Sequence, residues 1–562
     1  MGLIAPRLPD LDVEDWRRQP HHERLRRMCA DWGLHGFGSP EGVYAFYALK
    51  LVLYVGGWVG LMALRPDVAG LSDLGSWWSS LTAFKVAIVW TMLYELLGLG
   101  CGSGPLTFRF FPPVAAPFYF ARPGTVRLPP WPRHVPGTRG TTRTWLDVAL
   151  YVAILVLGFR AVVATDLGPL DVAPLVVLVP LAGLRDKTVF LAARSEHYWV
   201  TLVVFLFPES LLAGSKLVQL AIWWGAATSK LNHHFPSVIA VMVSNSPILR
   251  WGRVKRAMYR AYPDDMRPSR AAAALAHGGT AVEYLVPLVL VLSTGGPVTA
   301  VALTVMVCFH LYITSNVPLG VPLEWNVLFI YSALVLFGVH ADVRVWDLDP
   351  RLAVLLALGV LAGPVYGSIR PDRVSFLPAM RYYAGNWGTS FWLVRRDAMG
   401  RLDELVGVAP PVQRQLARLY DETTQAALFG KAVAFRSMHL HGRALNGLVP
   451  AALPAGADLD DYVVNDGEWI AGIALGWNFG DGHLHHEQLL GAIQERLGFA
   501  PGEVRGIFVE SQPIQRHAHH WRIVDAADGL VAQGHVEVRD LLDVQPWSGA
   551  DLSGARRGGA GP

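Results

Sequence analysis

The sequence predicts a polytopic, all-α membrane bundle followed by a C-terminal cytoplasmic α+β domain. Hydrophobic residues make up 52% of the 562-residue chain and charged residues only 17%, with a mean hydropathy of +0.32. This composition is too apolar for one soluble globule and is typical of a multi-span membrane protein. In addition, long apolar runs stop near residue 370, where mixed charged and apolar segments begin.

Residues 1–40 form an amphipathic segment rich in Arg and His. Trp16, Leu25, Met28 and Trp32 recur at helical spacing, which predicts a helix that lies on the membrane surface. A cleavable signal peptide is not expected, because the segment is polar and the first long apolar run starts only near Val43.

The membrane domain is expected over residues 41–370, with about eight to ten spans. The apolar runs lie near 43–64, 81–100, 145–164, 170–184, 188–208, 211–229, 279–294, 297–316, 325–340 and 352–368. Several are shorter than the roughly 20 residues of a straight span, which leaves eight or nine spans as an alternative to ten. Arg and Lys cluster before the first run and after the second, fourth, sixth and tenth runs. The positive-inside rule therefore predicts a multi-pass protein of the cytoplasmic (inner) membrane with both termini in the cytoplasm.

Polar side chains gather at the cytoplasmic ends of these runs. With ten spans, the following residues come to a similar depth: Arg194, Glu196, His197, Lys230, His233, His234, Glu283, His310, Asn316 and Glu324. An ionisable group within a span costs about 2.5–3.5 kcal/mol on insertion scales, so one-sided clustering predicts a shared polar cavity. Lys230 is its candidate base, because burial favours the neutral amine. The alternative is a lysine that snorkels beside interfacial histidines.

The α+β domain is expected over residues 371–547, before a disordered tail at 548–562. His439, His441, His483 and His485 are candidate ligands for zinc, iron or copper, because an H-x-H pair in a strand directs both imidazoles to one face. The alternative is histidines on polar strands, since no cysteine or carboxylate spacing completes a ligand set.

The sequence lacks the motifs that are typical of several classes of enzyme and nucleotide-binding protein. The chain contains no GxSxG, Walker A loop or strand-linked GxGxxG, which are the patterns of hydrolases, NTPases and dinucleotide-binding proteins. The net charge of +3 is small and the arginines form short clusters, so a nucleic-acid partner is not expected. The expected partners are the lipid bilayer and a small or lipid-like substrate.

Four segments of the membrane half share their order and spacing with a known family: RSEHYWVTLVVFLFP, QLAIWWGAATSKLNHHF, AVEYLVPLVLVL and MVCFHLYITSNVPLGVPLEWN. Over residues 185–340 they resemble the transmembrane domain of vitamin K-dependent gamma-glutamyl carboxylase and its bacterial relatives. The resemblance implies Lys230 as a base acting with a reduced quinone and dioxygen, His310 in the family's Phe-His position, and Glu283 and Glu196 as supports. No lumenal substrate-binding domain is present, so glutamate carboxylation is not implied.

The whole chain is similar to an actinobacterial family of transmembrane proteins without assigned function. The blocks SKLNHHFPSVIAVMVSNSP, GVPLEWN, NWGTSFWL, WNFGDGHLHHEQL and VESQPIQ carry this resemblance. The sequence therefore predicts a membrane enzyme, an oxidoreductase or carboxylase-like protein, with Lys230, His310, Glu283, His233 and His234 as the catalytic set. The alternatives are a lipid or metabolite transporter, a non-catalytic membrane scaffold, and an N-oxidising enzyme of natural-product biosynthesis.

Overall fold

The computed structural model describes residues 2–65, 68, 73–100, 116–193, 197–316, 323–374, 384–405, 410–475 and 486–548. Its helices are α1 (Val13–Arg18), α2 (His21–His35), α3 (Glu41–Ala63), α4 (Leu74–Trp77), α5 (Leu81–Leu96), α6 (Ala116–Phe120), α7 (Trp145–Val163), α8 (Pro169–Arg185), α9 (Lys187–Ala192), α10 (Tyr198–Val204), α11 (Leu211–Ser229), α12 (Phe235–Asn245), α13 (Gly252–Ala257), α14 (Arg270–Leu292), α15 (Gly296–Thr314), α16 (Leu323–Ala333), α17 (Pro350–Leu356), α18 (Gly363–Ile369), α19 (Pro371–Val374), α20 (Val412–Leu416), α21 (Glu422–Met438), α22 (Leu440–Ala452), α23 (Gly467–Leu475), α24 (His486–Leu497) and α25 (Val538–Asp543). The strands are β1 (Tyr259–Ala261), β2 (Asp265–Pro268), β3 (Thr389–Arg395), β4 (Tyr462–Asp466), β5 (Val504–Val509), β6 (Ala518–Asp525) and β7 (Gly529–Glu537).

Among the described residues, 5 helices are long and apolar enough to cross a membrane. They are α3, α7, α14, α15 and the C-terminal span, Pro350–Ile369, in which a π-helical segment joins α17 to α18. Helices α10 and α11 would make a sixth span if the pair, bent by 118°, is one broken span. For this part of the chain the prediction of eight to ten spans is therefore too high.

The excess in the predicted count comes from apolar helices that are too short for a straight span. Helix α5 has 16 residues, which is about 24 Å of rise and less than the roughly 30 Å of a hydrocarbon core. Most of its residues are buried, including Phe84, Val89 and Leu93. Helix α8 has 17 residues with Pro174 and Pro180 in its interior. A helix that is apolar on every side is a core helix as readily as a span, and the sequence pattern does not separate the two.

The N-terminal helices pack against protein. Leu25, Met28 and Trp32 of α2 are buried in one core with residues of α12 and α21. The Lys431 ammonium of α21 adds a buried ion pair, 2.8 Å from the Asp31 carboxylate. The helix predicted over this segment is confirmed, but its apolar face contacts other helices and does not lie on the membrane surface.

The C-terminal region contains a five-stranded antiparallel sheet in the order β4-β3-β5-β6-β7. Phe391 and Ile507 lie on the face that packs against α22, whereas Trp392 and Phe508 lie on the opposite face against α23 and α24. Because helices cover both faces, β3 is buried along almost its whole length and shows no alternation of buried and exposed residues. This is the α+β region that the sequence predicts near the C-terminus.

The loop between β5 and β6 joins the sheet to the C-terminal span. The backbone N–H of Ile514 donates to the carbonyl of Ser368 at 2.9 Å. The side-chain amide of Gln515 donates to the carbonyl of Ile369, also at 2.9 Å. These bonds satisfy carbonyl groups at the end of the span, which have no partner within the helix. They hold the β5–β6 loop at the helix end, next to the groove described below.

Candidate functional site

A groove of about 770 Å³ lies between α11 and the C-terminal span. Its walls are apolar side chains at helical spacing: Leu217, Leu220, Ala221 and Trp224 on α11, and Leu356, Val360, Leu361 and Val365 on the span. From Leu217 to Ser229, α11 rises about 18 Å, so the groove offers a long apolar surface. The volume lies within the range of about 300–1,000 Å³ that is typical of small-molecule sites.

Most polar groups that line the groove, apart from His197 and His277, gather where α11 and the C-terminal span both end. They are Thr228, Ser229, Asn232, His233, Ser368, Asn386, Gln512 and His517. Half of this set comes from the end of α11, and three members come from the C-terminal α+β region. We call this set the polar end of the groove. It combines hydroxyl, amide and imidazole groups beneath an apolar wall.

The Asn386 side chain of the polar end is held by two bonds to the backbone of Gln512. The Asn386 amide N–H donates to the Gln512 carbonyl at 3.0 Å, and the Gln512 backbone N–H donates to Asn386 Oδ1 at 2.7 Å. Gln512 Oε1 lies 3.1 Å from His234 Nε2, which therefore acts as the donor. All three side chains are buried. This part of the polar end is thus built from both the membrane region and the α+β region.

Lys230 and Glu283 form an ion pair beside the groove. The Lys230 ammonium contacts both carboxylate oxygens of Glu283, with a distance of 2.5 Å to Oε1. Their side chains are only 11% and 4% exposed. Lys230 directly precedes Leu231 and follows Ser229, both of which line the groove, but its own side chain turns toward α14. The pair is therefore behind the groove wall.

His310 lies deeper in the bundle in a fixed tautomer. The Trp223 indole N–H donates to His310 Nε2 at 3.0 Å, so this nitrogen is an acceptor. His310 Nδ1 then carries the proton and donates to Asn326 Oδ1 at 2.9 Å. Both ring nitrogens are occupied by neighbours from α11 and α16. His310 is therefore arranged to orient these helices and does not line the groove.

Four buried imidazoles lie behind the polar end, and we call them the histidine cluster: His234, His439, His441 and His519. The ring centroids of His234 and His519 are 4.9 Å apart, and those of His234 and His441 are 6.4 Å apart. His439 and His441 stack at 5.8 Å. The cluster thus joins the loop after α11 to three elements of the α+β region.

The sequence matches, over residues 1–554, a family described as transmembrane protein of unknown function (DUF3556). The chain belongs to this family. The match covers the N-terminal helices, the spans and the α+β region together, so the whole fold is the family unit. No curated protein and no solved structure gives a significant match.

The predicted H-x-H strand is wrong for this DUF3556 protein. His439 is the residue between α21 and α22, and His441 lies in the first turn of α22. His439 Nδ1 donates to the Phe435 carbonyl at 2.8 Å. His483 and His485 lie outside the described residues. Within the described part, no group of three or more His, Cys, Asp or Glu side chains is arranged to hold a metal ion.

Burial keeps two members of the histidine cluster, His439 and His441, neutral. It lowers the pKa of His439 to about 4, and the nearby Arg436 and Arg443 act in the same direction. Burial also holds the pKa of His441 well below its ordinary value. Smaller electrostatic effects of four neighbours lower it in the same direction: His439, Arg436, His234 and His519. Neither ring nitrogen of His441 has a hydrogen-bond partner among the described residues. Its closest ring contact is Trp387, edge-on at 4.1 Å between centroids.

The turn between α21 and α22 requires a glycine at position 442. A Cβ there would overlap the backbone carbonyl group of Arg436. That backbone cannot easily yield, because the Arg436 guanidinium is bound to both oxygens of Asp466 at 2.7 and 2.8 Å. We expect Gly442→Ala to lower the free energy of unfolding by more than about 2 kcal/mol, measured by denaturant unfolding in detergent.

Gly491 provides the control for this substitution. It lies in α24, and a Cβ at this position meets nothing within 4 Å. Gly491→Ala should be neutral or stabilise the protein by up to about 1 kcal/mol, because alanine favours the helix. Equal stability of the two variants would contradict the steric role assigned to Gly442.

The predicted site residues fall into separate groups. His197 and His233 line the groove, whereas Lys230 and Glu283 form the pair behind it. Asn316 donates to the Tyr312 carbonyl of its own helix. The remaining predicted residues are Glu324, which is buried in α16, and Arg194 and Glu196, which lie outside the described residues.

Sequence reasoning missed a second buried acidic position. Glu95 Oε1 accepts a bond from the Trp325 indole at 2.8 Å, and Gly100 lies close to both Glu95 and Glu324. Lys50 is buried nearby and donates to the Gly100 carbonyl at 3.0 Å. The signal was present, since Lys50 and Glu95 are ionisable residues inside apolar runs.

Proposed function

We propose that this protein is a membrane enzyme that binds a lipid-like substrate in the groove and acts on its polar head at the polar end. One observation carries the proposal: an apolar groove between α11 and the C-terminal span ends among polar groups, three of which come from the α+β region. Hydrocarbon fits the wall, and hydrogen-bonding groups fit the end. A site with both properties suits a molecule that is apolar along its body and polar at one terminus.

The residues that line the groove favour a substrate with an uncharged head group. The described residues among them include no Asp, Glu, Lys or Arg, and the nearby Lys230 ammonium is neutralised by Glu283. A phosphate or carboxylate head would leave its charge without a fixed partner in a largely apolar site, which is costly. An alcohol, amide or hydroquinone would instead exchange hydrogen bonds with Asn386, Gln512 and Ser229. The reduced quinone that the family resemblance implies is of this kind, and it would supply reducing electrons.

The predicted catalytic residues have different roles in this proposal, because only some of them line the groove. His233 lines the polar end, so it is the member of the set that contacts substrate. Imidazole accepts and releases protons near neutral pH and is the usual general base in such a position. Lys230 and Glu283 are positioning residues in this proposal, because they fix the end of α11 from which His233 projects. Direct base chemistry by the Lys230 amine would first require its proton to leave the ion pair.

Filling the groove tests the proposal. Gly225 lines it, and a Cβ added there meets nothing within 4 Å, so Gly225→Phe places a ring in the groove without a clash at Cβ. Gly278 of α14 also has open space but does not line the groove, which makes Gly278→Phe the matched control. His233→Ala removes the proposed base and leaves the wall intact.

Two measurements separate binding from chemistry. Mass spectrometry of molecules that co-purify with the protein reports binding, and untargeted comparison of cellular lipids reports turnover. We expect Gly225→Phe to lose at least about tenfold of the bound molecule, and His233→Ala to retain it but change the lipid profile. Retention of the bound molecule by Gly225→Phe, or its loss in Gly278→Phe, would contradict the groove as the binding site. An unchanged lipid profile in His233→Ala would contradict the enzymatic role.

A further inference from the structure

The connection between α12 and α14 carries exposed side chains of two kinds. Ile248 and Trp251 are 72% and 74% exposed, which is high for large apolar residues. Exposed arginines surround them in sequence: Arg250, Arg253, Arg256 and Arg260. We call these six residues the basic patch. Its combination of cationic and large apolar side chains requires a partner that offers both anionic and apolar groups.

The charge of the basic patch is not balanced within the protein. Residues 246–263 contain no Asp or Glu. Among the residues that the structure describes, none of the four arginines forms an ion pair, and the ion pair found in this connection joins Arg267 to Asp265. The one lysine of the segment, Lys255, is buried and donates to the carbonyls of Leu34 and Ser244. The arginines therefore remain available to an external anion.

The packing of α12 brings the patch close to the ends of three candidate spans. Met242 of α12 packs in a cluster with Tyr47, near the start of α3, and Ile313, near the end of α15. Helix α12 also packs on α14, which begins at Arg270. Three candidate spans thus begin or end around α12. The patch follows α12 directly, and the ends of membrane spans are where lipid headgroups are met.

We propose that the basic patch binds the headgroups of anionic phospholipids in the surrounding leaflet. The four guanidinium groups would pair with lipid phosphates, for which their planar donor geometry is suited. Trp251 and Ile248 would enter the interfacial layer, where tryptophan is enriched in membrane proteins. Basic clusters immediately beside spans attract anionic lipid through the negative surface potential of the bilayer. This site lies outside the groove and does not depend on the proposed enzymatic function.

Native mass spectrometry of the full-length protein tests this site. The purified protein in detergent is mixed with equal amounts of phosphatidylglycerol and phosphatidylcholine that carry identical acyl chains, and the retained lipids are counted. We expect the wild type to retain phosphatidylglycerol preferentially. Replacing Arg250, Arg253, Arg256 and Arg260 by Gln should reduce this preference about tenfold or more.

The matched control removes the same charge elsewhere. Its four exposed arginines, Arg133, Arg139, Arg418 and Arg539, are replaced by Gln. We expect the control to keep the wild-type preference. Equal loss in both variants would show that net charge alone attracts the lipid and would overturn the proposal. An unchanged preference in the patch variant would overturn it as well.

A second measurement uses the unmodified protein, so it is independent of variant folding. Raising the salt concentration shortens the screening length to about 3 Å at 1 M and should remove most of the preference for phosphatidylglycerol. A preference that persists at this salt concentration would contradict recognition by exposed arginines. Inorganic phosphate at millimolar concentration should not compete, because it lacks the acyl chains that place the lipid against Trp251. Competition by phosphate would identify a free-anion site instead and overturn the lipid assignment.

Discussion

Lys230→Met is expected to lower the free energy of unfolding by about 3–5 kcal/mol, because it leaves the Glu283 carboxylate buried without its partner. Both side chains of the pair are largely removed from solvent. Uncompensated charge is more costly than a lost contact, since the carboxylate has given up its hydration. Glu283→Gln should have a similar effect through the stranded ammonium. The measurement is equilibrium unfolding in mixed detergent micelles, followed by tryptophan fluorescence.

The double variant Lys230→Met/Glu283→Leu distinguishes stranded charge from lost packing. It removes both charges, so most of the lost stability should return, and the coupling energy of the cycle should exceed about 2 kcal/mol. Arg351→Gln serves as the control, because it breaks an exposed ion pair with Asp349 and should not change stability measurably. A double variant no more stable than the less stable single variant would contradict the pair as an electrostatic unit.

The Lys230–Glu283 ion pair could be predicted from the sequence, whereas the groove could not. Lys230 and Glu283 are ionisable residues inside apolar runs, and such residues must find partners, so their proximity follows from elementary energetics. The polar end depends on Asn386 and Gln512, which lie far along the chain in the α+β region. An amide in a loop carries no signal of its location in space. Only the docking of the β5–β6 loop on the C-terminal span brings these groups to α11.

The span count and the H-x-H assignment failed for a shared reason. An apolar run of about 16 residues, such as α5, is compatible with a span and with a core helix, because periodicity reports only which faces are apolar. Likewise, His439 and His441 have the spacing of one strand face but also fit a break between two helices. The helices on either side determine the conformation at His439 and His441. These helices are stabilised by tertiary packing, which the local sequence pattern does not show.

Acidification from pH 7.5 to pH 5.0 is expected to destabilise the protein through the histidine cluster. His439 has a pKa of about 4 in the folded protein, whereas the ordinary pKa of a histidine side chain is 6.5. Its contribution is fully present above pH 6.5 and is lost as the pH falls toward 4, because the unfolded chain binds the proton first. Over this interval the loss is about 2 kcal/mol for His439. His441, whose pKa is also lowered by burial, adds a loss of stability in the same direction.

His441→Phe isolates one member of the cluster. The imidazole nitrogens of His441 lack hydrogen-bond partners among the described residues, and the contact with Trp387 is one that a phenyl ring can replace. The variant should therefore be as stable as the wild type at pH 7.5 and should lose less stability than the wild type on acidification to pH 5.0. His134→Gln, at an exposed position, should keep the wild-type pH dependence.

The same experiment decides whether the cluster holds the two regions together. His234 belongs to the loop after α11, while His439, His441 and His519 belong to the α+β region, so a proton on His441 places a buried charge at the contact between the two regions. Limited proteolysis at pH 5.0 should then cleave the wild type faster than at pH 7.5, and His441→Phe should reduce this difference. Equal pH slopes in the wild type and His441→Phe would show that acid sensitivity arises elsewhere, and that the unpartnered imidazole is only a packing element.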